Sequence, residues 1–331
     1  MTGEFECLVG SGRLPERLRG GVVAIGNFDG VHRGHQAVLE RALEEARARN
    51  VPALVLTFEP HPRTVFRPDI PLPRITPAPV KARLIRLLGF DAVVEQEFSR
   101  EFAQKSADEF IDEVLMRQLG VGHVVTGFDF HFGKNRQGDP AFLVAAAKSR
   151  GFGVTQVEAF SDEGGEIVSS SRIRTLLEAG DVTQAAGLLG YRFTVESEIV
   201  HGKKLGRTLG FPTANMVLPN DAVLHHGIYA VRLRRANGDL HDGVASFGRR
   251  PTVESEGEPL LETYVFDFNG DLYGEVCDVS FFGFLRGEEK FDGLDALLEQ
   301  MKHDKEEARA LLAGVRPLSE LDVRLAFERR S

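Results

Sequence analysis

A chain of 331 residues with 42% hydrophobic and 27% charged side chains has the composition of a folded globular protein and room for two cores, which excludes disordered and collagen-like classes. Its net charge of −9 argues against a broad nucleic-acid surface, which would need clustered Lys and Arg to neutralise phosphates. Anionic ligands therefore require local basic sites. The two cysteines, Cys7 and Cys277, have neither zinc-knot nor redox spacing and point to a reducing, cytoplasmic setting. The first residues lack a basic region ahead of an apolar run, and no stretch approaches the roughly 18 apolar residues of a spanning helix, so neither secretion nor membrane insertion is expected.

From residue 22, short apolar runs (VVAIG, ALVLTF, DAVVEQ, HVVTG, GVTQVEA) alternate with amphipathic segments such as 35–49 and 106–119. This alternation predicts a parallel sheet with covering helices. Ser106 followed three residues on by Glu109 is a capping box, which satisfies free backbone donors at a helix start. After a short helical stretch at 172–189, the pattern changes to closely spaced β-like runs: RFTVESEIV, GIYAVRLRR, DGVASFG, ETYVFDF and EVCDVSFFGF. Gly, Asn and Asp separate them, as in an antiparallel barrel or sandwich. A charged amphipathic helix over about 292–313 follows. The change of pattern places a domain boundary near residue 186.

The strand VVAIG runs into Asn27, Phe28, Asp29 and Gly30, and His32, Arg33, Gly34 and His35 then lead into a helix. Both imidazoles thus stand at a helix N-terminus, where free N–H groups and the positive end of the dipole favour phosphate and glycines allow close backbone approach. Histidines there can donate hydrogen bonds to phosphate oxygens as charge shifts during transfer. A lone histidine near a helix start is more often a cap or a surface residue, but HxGH after a glycine turn is hard to read that way.

At this point the chain resembles the HxGH nucleotidyltransferase superfamily. TFEPHPR at 57–63, GFDFHFGKNRQGD at 127–139 and SSSRIR at 169–174 narrow the resemblance to the bacterial bifunctional riboflavin kinase and FAD synthetase family, whose first module adenylylates FMN. The resemblance implies that His32 and His35 bind and polarise the ATP phosphates and that Ser170, Ser171 and Arg174 close over them. Gly26, Asn27, Phe28, Asp29, Gly34 and Asp129 would hold the nucleotide, and Pro60, His61, Pro62 and Phe132 would line the flavin side. On the residues alone, Pro60 and Pro62 equally well end a strand, and Phe58, Phe128, Phe130 and Phe132 equally well fill a core.

HGKKLGRTLGFPTAN at 201–215 lacks the spacing of a Walker A loop. Its glycines would let successive N–H groups face an anion, Lys203, Lys204 and Arg207 add charge, and Thr213 and Asn215 offer hard oxygens for magnesium. Read bare, a polar turn is equally consistent. The run resembles the riboflavin kinase module of the same family, and GIYAV at 227–231, ETY at 262–264, GDLYGE at 270–275 and LRGEEKF at 285–291 match in order, so the resemblance covers nearly the whole chain. It implies an N-terminal Rossmann-like parallel-sheet nucleotidyltransferase domain, 1–186, followed by an antiparallel β-barrel riboflavin kinase domain with a C-terminal helix, 187–331. Gly202, Lys203, Gly206, Arg207, Thr208 and Gly210 would contact ATP, Thr213 and Asn215 the metal, and Arg286 and Phe291 the flavin. Glu262 would take the proton from the riboflavin 5′-hydroxyl; without the resemblance it reads as a solvated carboxylate on a strand.

The implied substrates are riboflavin, FMN and ATP with Mg²⁺, and the implied partners are flavoproteins that accept FMN and FAD, not nucleic acid or membrane. The family usually has Thr at Ser171, Arg at His131, Asn at Ser246 and His at Tyr264, and Arg249 is a bulky choice beside Arg250 and Pro251. Two competing readings keep part of the pattern. One gives the HxGH module another acceptor, as in cytidylyltransferases and phosphopantetheine adenylyltransferases. The other is a flavin-binding regulator without turnover, which would not need Glu262, His32 and His35 together.

Overall fold

The structure, a computed structural model, describes residues 4–10, 12–202, 210–249 and 257–329. The chain divides into two compact units, 1–72 with 76–169 and 73–75 with 170–331.

The first unit is built on six parallel strands in the order β1-β4-β3-β2-β5-β6. They are β1 (Glu6–Val9), β2 (Val22–Ile25), β3 (Ala53–Glu59), β4 (Ala92–Glu97), β5 (His123–Gly127) and β6 (Gly153–Val157). The inner strands are apolar on both faces, and all four residues of β2 are buried, as a sheet covered on two sides requires. The edge strand β1 was not foreseen; with only four residues alternating between half-buried and exposed, it carries little of the apolar signal.

Helix α1 (Arg33–Arg49) buries Val38, Leu39, Ala42, Leu43 and Ala46, one apolar stripe at helical spacing, and packs on β2 and β5. Asn50 ends it in the left-handed region at φ 55°. Next come α2 (Pro62–Phe66) and α3 (Ala78–Leu88). The capping box at Ser106 and Glu109 forms in full, opening α4, which runs over Ala107–Glu109 and continues with wider turns over Phe110–Leu119. Helix α4 and α5 (Pro140–Arg150) enclose a core in which Ile111, Leu115, Leu143 and Ala147 meet Val23, Ile25, Leu54, Leu56 and Val124. Each of these Val, Leu and Ile side chains removed from water contributes roughly 1.5–3 kcal/mol.

In the second unit, α6 (Ser170–Glu178) and α7 (Val182–Leu189) replace the single helical stretch expected at 172–189. Gly180 at φ +82° breaks it, and Asp181 restarts it by accepting from the Gln184 amide. Six antiparallel strands then close into a barrel in the order β10-β11-β8-β7-β12-β9, so the barrel alternative holds rather than the sandwich. They are β7 (Thr194–Val200), β8 (Thr213–Val217), β9 (Gly227–Arg234), β10 (Leu240–Arg249), β11 (Pro259–Val265) and β12 (Val276–Arg286). Read locally, β8 is a ligand-holding run, because Pro-Thr-Ala-Asn carries turn residues; the ladder to β11 overrides that local preference.

The long helix Leu294–Gly314, expected at about 292–313, lies on one barrel face, where Ala308 and Leu312 meet Ala230, Phe266 and Phe282. The last helical residues are held by arginines: Arg234 donates to the carbonyls of Leu325 and Arg324, and Arg232 to that of Ala326. These are carbonyls that a helix end leaves without internal partners.

Candidate active sites

The chain leaves β2 toward β3 on one side and occupies the other side only with β5. This reversal of strand order is where open α/β sheets bind ligands, at the carboxyl ends of the strands. Two loops emerge there, Gly26–His32 after β2 and Gly127–Phe132 after β5.

The first loop is strained and held. Phe28 at φ 48° and Val31 at φ 37° are non-glycine residues in the left-handed region, a cost of order 1–3 kcal/mol each that only a constraining environment sustains. The Phe28 ring is buried and folds back over Gly26, where a Cβ would lie 2.9 Å from it. The Asn27 carbonyl accepts from Thr57 Oγ1 at 3.1 Å and Lys81 Nζ at 3.3 Å. Gly30 N donates to Thr76 Oγ1 at 2.8 Å, and the buried Asp29 carboxylate accepts from Thr76 N at 3.1 Å. Asp29 thus braces the loop against the residues ahead of α3.

His32 caps α1, its Nδ1 accepting from the His35 backbone N at 3.2 Å. A ring nitrogen that accepts carries no proton, so neutral His32 holds its proton on Nε2. The two rings stack with centroids 3.6 Å apart and planes 18° from parallel. Gly34 makes the stack possible, because a Cβ there would meet the His32 ring at 3.2 Å. Burial, then His32, then Lys81 hold His35 well below the ordinary histidine range, so it is neutral at pH 7. Its Nδ1 is buried with no hydrogen-bond partner among the described residues. The arrangement presents neutral imidazoles on a helix N-terminus, an anion site with donors that need no reorganisation.

On the flavin side of the expected site, Pro60 follows a cis peptide bond, and His61 caps α2 through its Nδ1, with Pro62 in the first helical turn. The residues thus do end β3, as the plain reading had it, and also start a helix. After β5, Phe128 and Asp129 are exposed, whereas Phe58 and Phe132 are buried and Phe130 packs against the same core. Phe132 stacks on Phe130 with centroids 5.4 Å apart. Ser170, Ser171 and Arg174 stand on α6 in the second unit, and Arg174 Nε donates to the Pro73 carbonyl at 2.6 Å.

Lys81 was missed by sequence reasoning. It is fully buried and its Nζ donates to Glu59 Oε1 at 2.6 Å and Thr57 Oγ1 at 2.9 Å. The available signal was its spacing: Lys81 shares a helix face with Leu84 and Ile85 at i+3 and i+4, a stripe where a solvated lysine does not belong.

In the barrel, strand register assembles the second site. Glu262 on β11 lies opposite Asn215 on β8 and Ser246 on β10, and Tyr264 lies opposite Thr213. Directly opposed residues share a face with Cβ atoms roughly 5 Å apart, so Thr213, Asn215 and Glu262, 47 positions apart at the last step (262 − 215), form one patch. Asn215 is buried and donates through Nδ2 to the Thr213 carbonyl at 3.1 Å, which leaves Oδ1 as the oxygen end of its amide. Gly202 lies so close that a Cβ would come within 2.7 Å of that amide. The side-chain oxygens of Thr213 and Asn215 are hard, neutral ligands of the kind magnesium accepts beside substrate phosphates.

Gly210 ends the glycine-rich run at φ +80°; Lys203, Lys204, Gly206, Arg207 and Thr208 lie outside the described residues. Arg286 pairs with the buried Asp304 of the long helix through two bonds of 2.8 and 2.7 Å, and its guanidinium sits 5.7 Å from the centre of the Phe291 ring. Both expected flavin residues are therefore together. Of the departures from the family pattern, Ser246 and Tyr264 neighbour Glu262 in the sheet, and Arg249 donates to the carbonyls of Gly257 and Asn220.

A histidine pair on a helix N-terminus at a parallel-sheet switch point, followed by a closed barrel bearing oxygen ligands beside a carboxylate, defines a two-module class of nucleotide-dependent phosphotransfer enzymes. Comparison with known proteins gives the family. A family model described as FAD synthetase matches residues 14–172, and one described as riboflavin kinase matches 189–312. The bifunctional riboflavin kinase/FMN adenylyltransferase of Haemophilus influenzae is 40% identical over 88% of this chain and 94% of its own length. That of Escherichia coli K12 is 39% identical over 90% and 95%.

The chain belongs to the bifunctional riboflavin kinase/FMN adenylyltransferase family and is an enzyme of flavin cofactor biosynthesis. A crystal structure described as a macrolide-efflux protein from Streptococcus pneumoniae also superposes with a TM-score of 0.78 at 32% identity, covering 88% of this chain and 94% of that one. Among the described residues no helix is long and apolar enough to cross a membrane.

Proposed function

We propose that the two activities divide between residues 1–186, which adenylylate FMN, and 187–331, which phosphorylate riboflavin, with the residues named above in the roles that follow. The reactions are consecutive: riboflavin and ATP give FMN, and FMN and a second ATP give FAD and pyrophosphate. The observation that carries the assignment is the stacked, capped pair His32 and His35 on the helix N-terminus in one unit, with Glu262 beside Asn215 in the other.

At the first site, His32 donates through Nε2–H to the ATP phosphates and neutral His35 adds a second donor. The FMN phosphate oxygen attacks the α-phosphorus in line, and pyrophosphate leaves with the electron pair of the broken P–O bond. No covalent enzyme intermediate is needed, so positioning and charge stabilisation supply the catalysis. Gly26, Asn27, Phe28, Asp29, Gly34 and Asp129 shape the nucleotide side. Ser170, Ser171 and Arg174 close it, and Pro60, His61, Pro62 and Phe132 flank the flavin.

At the second site, Glu262 takes the proton of the riboflavin 5′-hydroxyl as that oxygen attacks the γ-phosphorus, and ADP leaves with the electron pair of the broken P–O bond. Gly202, Lys203, Gly206, Arg207, Thr208 and Gly210 surround ATP, and Arg286 and Phe291 cover the flavin. Thr213 and Asn215 hold Mg²⁺, which supplies neutralising charge on the phosphates when bound. Cytoplasmic flavoproteins are the natural recipients of both products.

Incubation of the protein with riboflavin, ATP and Mg²⁺, with flavins resolved by chromatography, tests the reading. FMN followed by FAD is expected. FMN alone leaves only the kinase, and no product leaves a flavin binder.

A further inference from the structure

Lys81 is wholly buried, and the chemistry assigned so far gives it no task. An ammonium removed from water costs several kcal/mol unless it is paired and hydrogen-bonded, and an apolar side chain of similar volume would avoid that cost. Its partners therefore indicate what it is for. Nζ donates to Glu59 Oε1 at 2.6 Å, Thr57 Oγ1 at 2.9 Å and the Asn27 carbonyl at 3.3 Å, and Thr57 Oγ1 donates to the same carbonyl at 3.1 Å. Asn27 belongs to the strained loop that delivers His32. Glu59 is the last residue before Pro60, His61 and Pro62. One cation from α3 thus ties the nucleotide-side loop to the start of the flavin-side segment.

We propose that Lys81 is a positioning residue for FMN adenylylation, fixing the loop of Asn27 to His32 against the Thr57–Pro62 segment so that the FMN phosphate meets the α-phosphorus in line. The inference rests on adenylylation being the work of this site. In the step it serves, a bond forms from the FMN phosphate oxygen to the α-phosphorus while the bond to the pyrophosphate oxygen breaks. Such a transfer tolerates little displacement, a misplacement of about 1 Å costing on the order of 100-fold in rate. The same ammonium adds positive charge next to the histidine pair, helping to keep His35 neutral.

Steady-state kinetics of the full chain with FMN and ATP test this, with riboflavin phosphorylation measured on the same samples. Lys81→Met lowers kcat for FAD formation about 100-fold, moves KM for FMN and ATP by less than about threefold, and leaves riboflavin phosphorylation at the wild-type rate. Thr57→Val, which removes the two hydrogen bonds of the Thr57 hydroxyl and spares the ion pair, lowers kcat at least about tenfold, the rate equivalent of one lost hydrogen bond. The double variant Lys81→Met/Glu59→Gln stays as slow as Lys81→Met.

A Lys81→Met kcat within about threefold of wild type, a loss lying wholly in KM, or recovery in the double variant overturns the proposal, the last by reducing Lys81 to a counter-charge for Glu59. Should Lys81→Met not fold, a wild-type kcat in Thr57→Val is sufficient to refute it. Failure of the site assignment itself shows differently, as an unsubstituted chain that makes FMN and no FAD.

Discussion

The two sites are built by opposite routes. The histidine pair of the proposed nucleotidyl-transfer site is local: a strand, a strained loop and a helix start within residues 22–35 place His32 and His35 face to face. The proposed kinase site is non-local: Thr213, Asn215, Ser246 and Glu262 meet because three strands pair in one register. A locally built pair is damaged by changes to its own short segment or to the few residues that brace it, such as Lys81 and Thr57. A register-built site is damaged by anything that shifts a strand, including residues far from the chemistry.

The comparison breaks most cleanly at the reacting groups. Glu262→Gln is expected to slow riboflavin phosphorylation by roughly 10²- to 10⁴-fold, the usual worth of a positioned general base, while supplied FMN is still converted to FAD. His32→Ala or His35→Ala should do the reverse, costing about 2.7–4 kcal/mol of barrier, roughly 10²- to 10³-fold, in adenylylation with the kinase intact. Flavin chromatography on both substrates reads both outcomes, and loss of both activities in either variant would show that the sites are not separable.

Smaller effects test the register. Asp304 is buried and holds Arg286 through two bonds; Asp304→Ala leaves that cation unpaired, and thermal unfolding should show a loss of about 1.5–3 kcal/mol, the range for hydrogen bonds to charged groups, with a raised KM for riboflavin. Gly202→Ala would push a methyl group to within 2.7 Å of the Asn215 amide. Relief of such overpacking costs about 1–3 kcal/mol, so the kinase should need more Mg²⁺ while adenylylation is unchanged.

The smallest effect is a slope with pH. His35 and His123 are both held below the ordinary histidine value of 6.5, in each case chiefly by burial. A histidine with a folded-state pKa below its unfolded one takes up its proton more readily unfolded, so nothing is lost above about pH 6.5 and stability falls as the pH drops through that value. Denaturant melts at pH 8 and pH 5 should show the decline, and His35→Gln should shrink it, leaving the part due to His123.

The same contrast governs what could be read from the chain itself. Alternating apolar runs announced the five inner and far strands of the sheet, and the HxGH spacing announced its site, because both signals lie within a few consecutive residues. The four-residue β1 and the turn-rich β8 escaped, the first because it is too short for a pattern and the second because pairing partners, not local preference, make it a strand. Glu262 was nameable only through a family resemblance: nothing in ETY marks a base, and its neighbours Asn215 and Ser246 are supplied by two other strands. Lys81 was hidden because a lysine in an amphipathic helix is ordinarily a solvated residue, and its complete burial and its bonds to Asn27, Thr57 and Glu59 show otherwise.

Closure of the barrel also decides how copies of this chain can associate through backbone pairing. Each described barrel strand has a neighbour on both sides, although β7 meets β8 through only two residue pairs, so the described barrel strands leave few unpaired N–H and C=O groups to a visiting strand. The open sheet ends instead at β1 and β6, of four and five residues, and such short rims are poor templates for sheet extension. Those two rims are the full open edges of the sheet, and a charged substitution at the exposed Val9 of β1 is the economical place to guard one of them.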